Sequence, residues 1–182
     1  LPFSMRQALA NAWQQGLGCE STSLTRIDYP LLTHRGGGTH RETPLATRPE
    51  VMRRVEVGWL TEEEEAIAEV ARAVEAGDCI VWVRNTVDDA IRAWQQIRNI
   101  HPDPERCLLF HARFAMVDRR RIESDVIERF GKASSLPLRL GQVLITTQVF
   151  QESLDCDADR MISDIAPIDL LIQRAGRLQR HQ

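Results

Sequence analysis

Lysine is almost absent from this sequence, and so is the chemistry that depends on it. Of the 23 lysine and arginine residues, only Lys132 is a lysine. A phosphate-binding loop of the form G-x-x-x-x-G-K-[ST] uses its lysine to hold nucleotide phosphates, whereas Lys132 follows the dipeptide Phe-Gly outside any such loop. No Asp-Glu pair that could hold Mg²⁺ follows a strand-like run either. We therefore predict that this chain does not build a complete nucleoside-triphosphate site alone.

Cysteine pairs and long apolar runs are also missing. The four cysteines are scattered, and no two of them form a C-x-x-C pair. Cys79 and Cys107 open apolar, strand-like runs, which favours buried thiols over a zinc site or disulfides. No stretch approaches 18 consecutive apolar residues, and no signal peptide is visible. We expect a cytoplasmic protein with no membrane segment and no metal site of its own.

The composition is that of an ordinary globular domain. A chain of 182 residues fits one domain with a sizeable core, and 43% hydrophobic and 27% charged residues are usual values. The net charge of −3 gives no basic footprint of a protein that binds nucleic acid by itself. The chain begins at Leu1 without an initiator methionine and ends inside a motif-like segment, so we expect a fragment of a larger protein.

Helix-like and strand-like segments alternate from residue 61 onward. Helices are predicted over 61–76, 87–100, 116–130 and 168–179, and strands over 79–83, 107–110, 143–147 and 160–164. Thr61 with Glu64 has the form of a capping box at the start of the first helix, and Gly77 ends it. The strands are nearly all apolar, as strands buried on both faces are. This alternation predicts an α/β fold with a mostly parallel sheet between two layers of helices.

The first 60 residues are less regular. Residues 4–18 read as an amphipathic helix that glycines end, with an apolar face formed by Met5, Leu9, Ala12 and Trp13. The glycine-rich segment 33–40 reads as a mobile loop, and the segment 51–60 reads as a strand.

Polar side chains follow three of the predicted strands at their carboxyl ends, where open α/β sheets bind ligands. Asn85 and Thr86 follow the first strand, and either of them alternatively caps the next helix. His111 and Arg113 follow the second strand, although a single histidine there is more often a satisfied side chain than a ligand. The third strand leads into a run of polar residues: Thr146, Thr147, Gln148, Gln151, Glu152, Ser153 and Asp155. A hydrophobic core needs no such run, and its hydroxyl and backbone N–H groups suit a phosphate.

The segment DLLIQRAGRLQRHQ closes the sequence with three arginines at intervals of three residues. Arg174, Arg177 and Arg180 surround Gly176, which costs a helix roughly 1 kcal/mol relative to alanine. A glycine at this place permits the close approach of another backbone or of a phosphate. The sequence thus has arginines that favour phosphate but neither a phosphate-binding loop nor residues that would hold a metal ion. This combination indicates one half of a site that another domain completes.

Four segments in chain order carry a resemblance to a known family. CIVWVRNT, LLFHARF…DR, VLITTQVFQESLD and QRAGRLQR resemble motifs IV, IVa, V and VI of superfamily-2 helicases, which lie on the second RecA-like lobe. The segments TQVFQESLD and IAPIDLLIQRAGRLQRH are more similar still to the corresponding segments of the CRISPR-associated helicase-nucleases of type I interference systems. Many superfamily-2 members have Asp where Gln148 stands and Gly where Ser153 stands, so the resemblance to RNA helicases of the DEAD-box type is weaker.

The resemblance covers residues 1–182 and is firmest from residue 79. It implies that the chain is a single second RecA-like lobe, a three-layer αβα domain. Residues 1–18 would form the linker helix between two lobes, because LPFSMRQALANAWQQG resembles the segment that comes after motif III of a first lobe.

The resemblance also implies a nucleotide side of the site. Arg177 and Arg180 would be arginine fingers that reach the γ-phosphate of ATP, held with Mg²⁺ mainly by an absent first lobe. Gln173 would position the nucleotide or the attacking water. Asp155 would contact the ribose, with Gly176 and Gln148 beside the nucleotide.

A nucleic-acid side is implied by the same resemblance. Thr147 would grip the phosphates of a single DNA strand, together with Thr86, Asn85, His111 and Arg113. The implied partners are the first RecA-like lobe, single-stranded DNA and a guide-RNA surveillance complex. Two alternatives stay open: the equivalent lobe of another superfamily-2 enzyme acting on RNA or DNA, and a non-enzymatic α/β module whose arginines bind another acidic partner.

Overall fold

The computed structural model describes residues 2–20, 23–36, 39–47 and 54–179. Its contacts divide the chain into two compact units, Leu1–Arg54 and Val55–Gln182. Among the described residues, no helix is both long enough and apolar enough to cross a membrane. The assignment of the whole chain to one lobe, with residues 1–18 as a linker helix, stays a prediction.

The first unit consists of helix α1 (Phe3–Gly16) and an antiparallel hairpin of strands β1 (Leu31–Gly36) and β2 (Thr39–Pro44). The predicted helix is confirmed, but its predicted apolar face is wrong: Met5, Leu9, Ala12 and Trp13 are all exposed, whereas Gln14 is buried. The loop predicted over 33–40 is wrong, since the described part of that segment pairs as two strands. These strands are polar, so their pairing rests on backbone hydrogen bonds that apolar periodicity does not reveal.

The second unit is a three-layer α/β domain, and the predicted fold class is confirmed. Its elements are α2 (Glu63–Ala76), β3 (Ile80–Val83), α3 (Val87–Ile100), β4 (Cys107–Phe110), α4 (Met116–Phe130), α5 (Leu136–Arg139), β5 (Val143–Thr146), α6 (Val149–Ser153), β6 (Arg160–Ser163) and α7 (Ile168–Ala175). The four strands run parallel in the order β4-β5-β3-β6. Strands β3 and β5 are buried along their whole length, as their continuous apolar sequences predict.

Two apolar clusters cover the two faces of this sheet. On one face, Val81 and Leu144 pack with Phe130 of α4 and Phe150 of α6. On the other face, the alternate residues of β3 and β5 pack with the alanines and isoleucines of α2 and α3. The two central strands, β3 and β5, therefore contribute side chains to both clusters, and apolar packing stabilises both faces of the sheet.

Local signals fix the ends of α2 and α3. The predicted stop at Gly77 is confirmed, with the positive φ of 81° that glycine adopts readily. The capping box lies one residue later than predicted. The Glu65 carboxylate, rather than that of Glu64, accepts from the backbone N–H groups of Thr61 at 2.7 Å and Glu62 at 3.3 Å. These backbone hydrogen bonds hold the pKa of Glu65 below its ordinary value.

Two further boundaries differ from the sequence prediction. Residues 54–60 form no strand, and residues 51–53 of the predicted strand 51–60 lie outside the described part of the chain. Helix α7 ends at Ala175 instead of 179. The cause is a non-local backbone pairing: Ala158 donates to the carbonyl of Arg177 at 3.1 Å and accepts from the N–H of Gln179 at 3.0 Å. Groups engaged with Ala158 cannot continue the helix.

The core beneath α4 gives a stability prediction. Phe130 is fully buried, so Phe130→Ala should remove about 3–5 kcal/mol from the free energy of unfolding through lost burial and a residual cavity. Val117→Ala on the same helix is the control, because Val117 is exposed and the change should stay within about 0.5 kcal/mol. Urea unfolding followed by circular dichroism measures both, and equal midpoints for the two variants would contradict this packing.

Candidate functional site

The carboxyl ends of the four parallel strands lie at one level. Val83 at the end of β3 pairs with Thr146 of β5 on one side and with Ser163 of β6 on the other. Phe110 at the end of β4 also pairs with Thr146. The residues that follow these strands therefore share one edge of the sheet. We call it the carboxyl edge; its members are Arg84–Thr86, His111–Arg113, Thr147–Gln148 and Asp164.

The loop after β3 is fixed by hydrogen bonds. The backbone N–H of Asn85 donates to the Asp164 carboxylate at 2.8 Å, and its side-chain amide donates to the Ile165 carbonyl at 2.8 Å. Thr86 is the N-cap of α3, since its hydroxyl oxygen accepts from the backbone N–H of Asp89 at 3.1 Å. The capping alternative is thus confirmed for Thr86, while Asn85 instead joins the loop to the segment that follows β6.

The residues after β4 form a compact group. His111 is buried and its ring stacks on that of Phe114, with centroids 4.1 Å apart. Its Nδ1 accepts from the backbone N–H of Arg113 at 3.3 Å. Burial holds the pKa of His111 below its ordinary value. Arg113 is exposed and pairs with Asp88 at 2.6 Å.

The polar run after β5 divides between the core and the carboxyl edge. The Thr146 hydroxyl is buried and donates to the Phe110 carbonyl at 2.8 Å, which ties β5 to β4. Thr147 is also buried, whereas Gln148 is exposed and opens the short helix α6. Three apolar side chains between the polar ones reach the core: Val149, Phe150 and Leu154. Asp155 comes after them and is exposed.

The arginines of the last segment have different environments. Arg174 is 2% exposed. Its Nε donates to the Gln151 side chain at 2.9 Å, and its Nη1 donates to the Ser163 hydroxyl at 2.6 Å and to the Asp164 carbonyl at 3.1 Å. Burial lowers the pKa of Arg174 from its ordinary value, and Asp164 opposes that shift.

Arg177 lies in the turn after α7 and not on the helix. Its guanidinium donates to the backbone carbonyls of Leu154 and, at 3.0 Å, of Gln151, so it rests on the end of α6. Gln173 is exposed. Arg180 lies outside the described residues. The structure thus brings Arg177 together with the segment after β5, which sequence spacing alone does not reveal.

Gly176 adopts an ordinary conformation. Its φ is −65°, and an added Cβ would meet the carbonyls of Gln173 at 3.4 Å and Ile172 at 3.5 Å, which are ordinary contact distances. Neither the backbone conformation nor the packing of the described residues therefore requires glycine here.

Arg84 and Asp164 are the residues of this edge that the sequence analysis did not select. The Arg84 guanidinium lies over the Trp82 ring, 4.9 Å from its centroid, and donates to Asp164 at 3.2 Å and to Glu63 at 3.2 Å. The sequence could have identified both residues, because each is a charged residue directly after a buried or half-buried strand. Within the described ranges, no three His, Cys, Asp or Glu side chains are grouped so as to hold a metal ion.

The carboxyl edge combines features that suit phosphates. Hydroxyl and amide groups of the loops after β3 and β5 lie at this edge. The backbone of Arg177 instead pairs with Ala158, which precedes β6, and its guanidinium reaches back to the end of α6. Hydrogen bonds run without a break from Asn85 through Asp164, Arg174 and Gln151 to Arg177. This arrangement can hold anionic groups on both sides of a rigid centre.

Comparisons with known proteins agree with the resemblance drawn from the motifs. The family model "CRISPR-associated nuclease/helicase Cas3, C-terminal" matches residues 76–182, more than half of the chain. The CRISPR-associated nuclease/helicase Cas3 of Streptococcus thermophilus is 31% identical over 188 residues, covering 100% of this chain and 20% of that protein. The chain thus spans about a fifth of the length of this relative.

Solved structures share the fold over the whole chain. A crystal structure of a CRISPR-associated protein superposes with a TM-score of 0.89 at 31% identity, over 100% of this chain and 20% of that one. The crystal structure of T. fusca Cas3-ATP gives a TM-score of 0.76 at 27% identity, over 100% of this chain and 23% of that one. A CRISPR RNA-guided surveillance complex in its pre-nicking state gives 0.69 at 28% identity, over 100% and 24%. With the family model matched over most of the second unit, the chain belongs to the CRISPR-associated nuclease/helicase Cas3 family.

Proposed function

We propose that this chain is the second motor lobe of an ATP-dependent translocase or helicase that acts on single-stranded DNA in CRISPR interference. The observation that carries the proposal is the chain of hydrogen-bonded residues that leads from Asn85 at the carboxyl edge, through Asp164, Arg174 and Gln151, to Arg177. It joins the side that would hold DNA to the side that would meet ATP. The match to the Cas3 family favours this function over the lobe of another superfamily-2 enzyme.

On the nucleotide side, the chain would complete a site for ATP with Mg²⁺ that a first RecA-like lobe mainly holds. Related structures of T. fusca Cas3 with ATP, AMPPNP and ADP support nucleotide binding. Arg177 and Arg180 would act as fingers, because a planar guanidinium suits the spread charge of phosphoryl transfer. Carbonyl oxygens hold Arg177 until the γ-phosphate, which carries more negative charge, competes for it. Four more residues would line the nucleotide: Gln173, Asp155, Gly176 and Gln148.

On the nucleic-acid side, Thr147 would hold a phosphate of single-stranded DNA at the centre of the carboxyl edge. Asn85 and Thr86 would flank it on one side, and His111 and Arg113 on the other. His111 would contribute a hydrogen bond, whereas Arg113 would exchange Asp88 for a phosphate. The related CRISPR RNA-guided surveillance complex supports a guide-RNA complex as a partner.

The chain by itself should not hydrolyse ATP. It has no phosphate-loop lysine and no paired acids for Mg²⁺, and an arginine finger accelerates only a triphosphate that is already held. The measurement is phosphate release by the purified chain, with the full-length protein as the active control. Mg²⁺-dependent hydrolysis above background in a mass-verified sample would refute the shared-site interpretation.

DNA binding by the isolated chain should be weak and steeply dependent on salt. With a net charge of −3 and few groups that face phosphates, the Kd for single-stranded DNA should lie at roughly 10⁻⁴ to 10⁻⁶ M or weaker. Fluorescence anisotropy at several salt concentrations tests this. Nanomolar binding that does not respond to salt would instead indicate a dedicated binding module.

In the full-length protein, Arg177→Ala should lower kcat for DNA-stimulated ATP hydrolysis by about 10³-fold, with a much smaller effect on ATP binding. Arg180→Ala should behave alike, and Arg177→Lys should rescue poorly because a point charge does not match the guanidinium fork. The control is Arg72→Ala, which removes an exposed arginine paired with Glu69 on α2. Steady-state kinetics with saturating DNA decides the matter. Near-normal turnover in both finger variants would exclude the assignment.

A further inference from the structure

Arg174 of α7 is the centre of a hydrogen-bond network that joins this helix to α6 and to the end of β6. Its guanidinium contacts Gln151 on α6, Ser163 at the end of β6 and the carbonyl of Asp164. The Asp164 carboxylate in turn accepts from Arg84 and from the backbone N–H of Asn85. One buried side chain on α7 thus joins α6, β6 and, through Asp164, the loop after β3.

A buried guanidinium often contributes no more to stability than an apolar side chain that fills the same volume. Its removal from water costs several kcal/mol, and well-packed apolar residues of similar volume often give equal or greater stability. What such a group adds is geometry, because its N–H groups lie in one plane and fix the directions of their acceptors. The acceptors of Arg174 lie on α6 and at the end of β6, so the geometry that it fixes is the position of these two elements relative to α7.

Gln151 connects this network to Arg177. The Gln151 side chain accepts from Arg174 at 2.9 Å, and its backbone carbonyl accepts from Arg177 at 3.0 Å. The backbone N–H of Arg177 also donates to the carbonyl of Arg174 at 2.9 Å. A displacement of the Arg174 side chain would therefore move both the helix end on which Arg177 rests and the turn that carries it.

We propose that Arg174 is a positioning residue that sets the place of Arg177 for phosphoryl transfer by holding Gln151 and the ends of α6 and β6. The proposal rests on the finger role proposed for Arg177. Because Arg174 itself is buried, its effect is transmitted through Gln151 and the turn after α7. A misplacement of a catalytic group by about 1 Å can cost on the order of 10²-fold in rate.

The test uses conservative changes in the full-length protein. Arg174→Lys keeps the charge but cannot reach all three partners at once, and Gln151→Ala removes the connecting side chain while Arg174 stays in place. The matched control is Arg160→Lys. Arg160 forms similar bonds, to Asp78 at 2.7 Å and Glu69 at 2.9 Å, but at the opposite, amino end of β6. Steady-state ATPase kinetics with saturating single-stranded DNA is measured beside thermal unfolding.

We expect Arg174→Lys to lower kcat by about tenfold or more with KM for ATP changed by no more than about twofold. Gln151→Ala should act in the same direction with a smaller size, and Arg160→Lys should leave kcat unchanged even where it lowers the melting temperature. Added to Arg177→Ala, Arg174→Lys should produce little further loss, because the group that it positions is already gone.

Other outcomes separate the two proposals. If Arg174→Lys and Arg160→Lys lower the melting temperature alike and neither lowers kcat, Arg174 is only structural and the positioning proposal fails. If the losses of Arg174→Lys and Arg177→Ala multiply in the double variant, Arg174 acts independently of Arg177, and the proposal again fails while the finger role stands. If Arg177→Ala itself retains kcat, the finger role fails first and the positioning proposal fails with it.

Discussion

The shared register of β3 with its two neighbours is the constraint on which the site depends. Val83 pairs with both Thr146 and Ser163, so three strands end at the same level and a fourth is aligned with them through β5. Both faces of the sheet are covered by apolar side chains. A slip of one residue would exchange the two faces of a strand, which burial on both sides strongly disfavours. The register of the strands and the core around them therefore decide where the loops that follow the strands begin.

Charged groups then fix the segments at both ends of this sheet. At the carboxyl edge, Arg84 and Arg174 meet at Asp164, one at its carboxylate and the other at its carbonyl. At the amino edge, Arg139 lies 2.7 Å from the buried carboxylate of Asp157, and Arg160 pairs with Asp78. Breaking a buried pair by removing one partner costs far more than the pair contributes. This applies to Arg139 with Asp157, whose side chains are only 14% and 2% exposed, and less to the more exposed Arg160 with Asp78.

Much of the second unit could be predicted because its signals are local. Continuous apolar runs give the strands 79–83 and 143–147 to within a residue, and a glycine and a threonine mark the helix boundaries at Gly77 and Thr86. The capping box was misplaced by one residue because four successive glutamates offer the same chemistry in neighbouring registers. The hairpin of β1 and β2 was missed since its polar strands carry no apolar alternation.

The site was predictable in its location but not in its internal contacts. Strand ends point to the carboxyl edge from sequence alone, whereas Asn85 and Asp164 meet across 79 positions of the chain. Likewise, the pairing of Ala158 with the segment after α7 ends that helix early. The spacing of residues in the sequence does not predict such contacts, because they result from the strand order β4-β5-β3-β6.

The early end of α7 changes the meaning of the arginine spacing. On a continuous helix, Arg174 and Arg177 would lie on one face, and their spacing would predict the same role for both. In the structure, Arg174 is enclosed on the helix while Arg177 stands in the turn beyond it. Gly176 lies between them with φ −65° and space for a Cβ. The described residues need no glycine at that point, so the reason for it is sought in the proposed function, in which a nucleotide and a first lobe would approach the backbone of this turn.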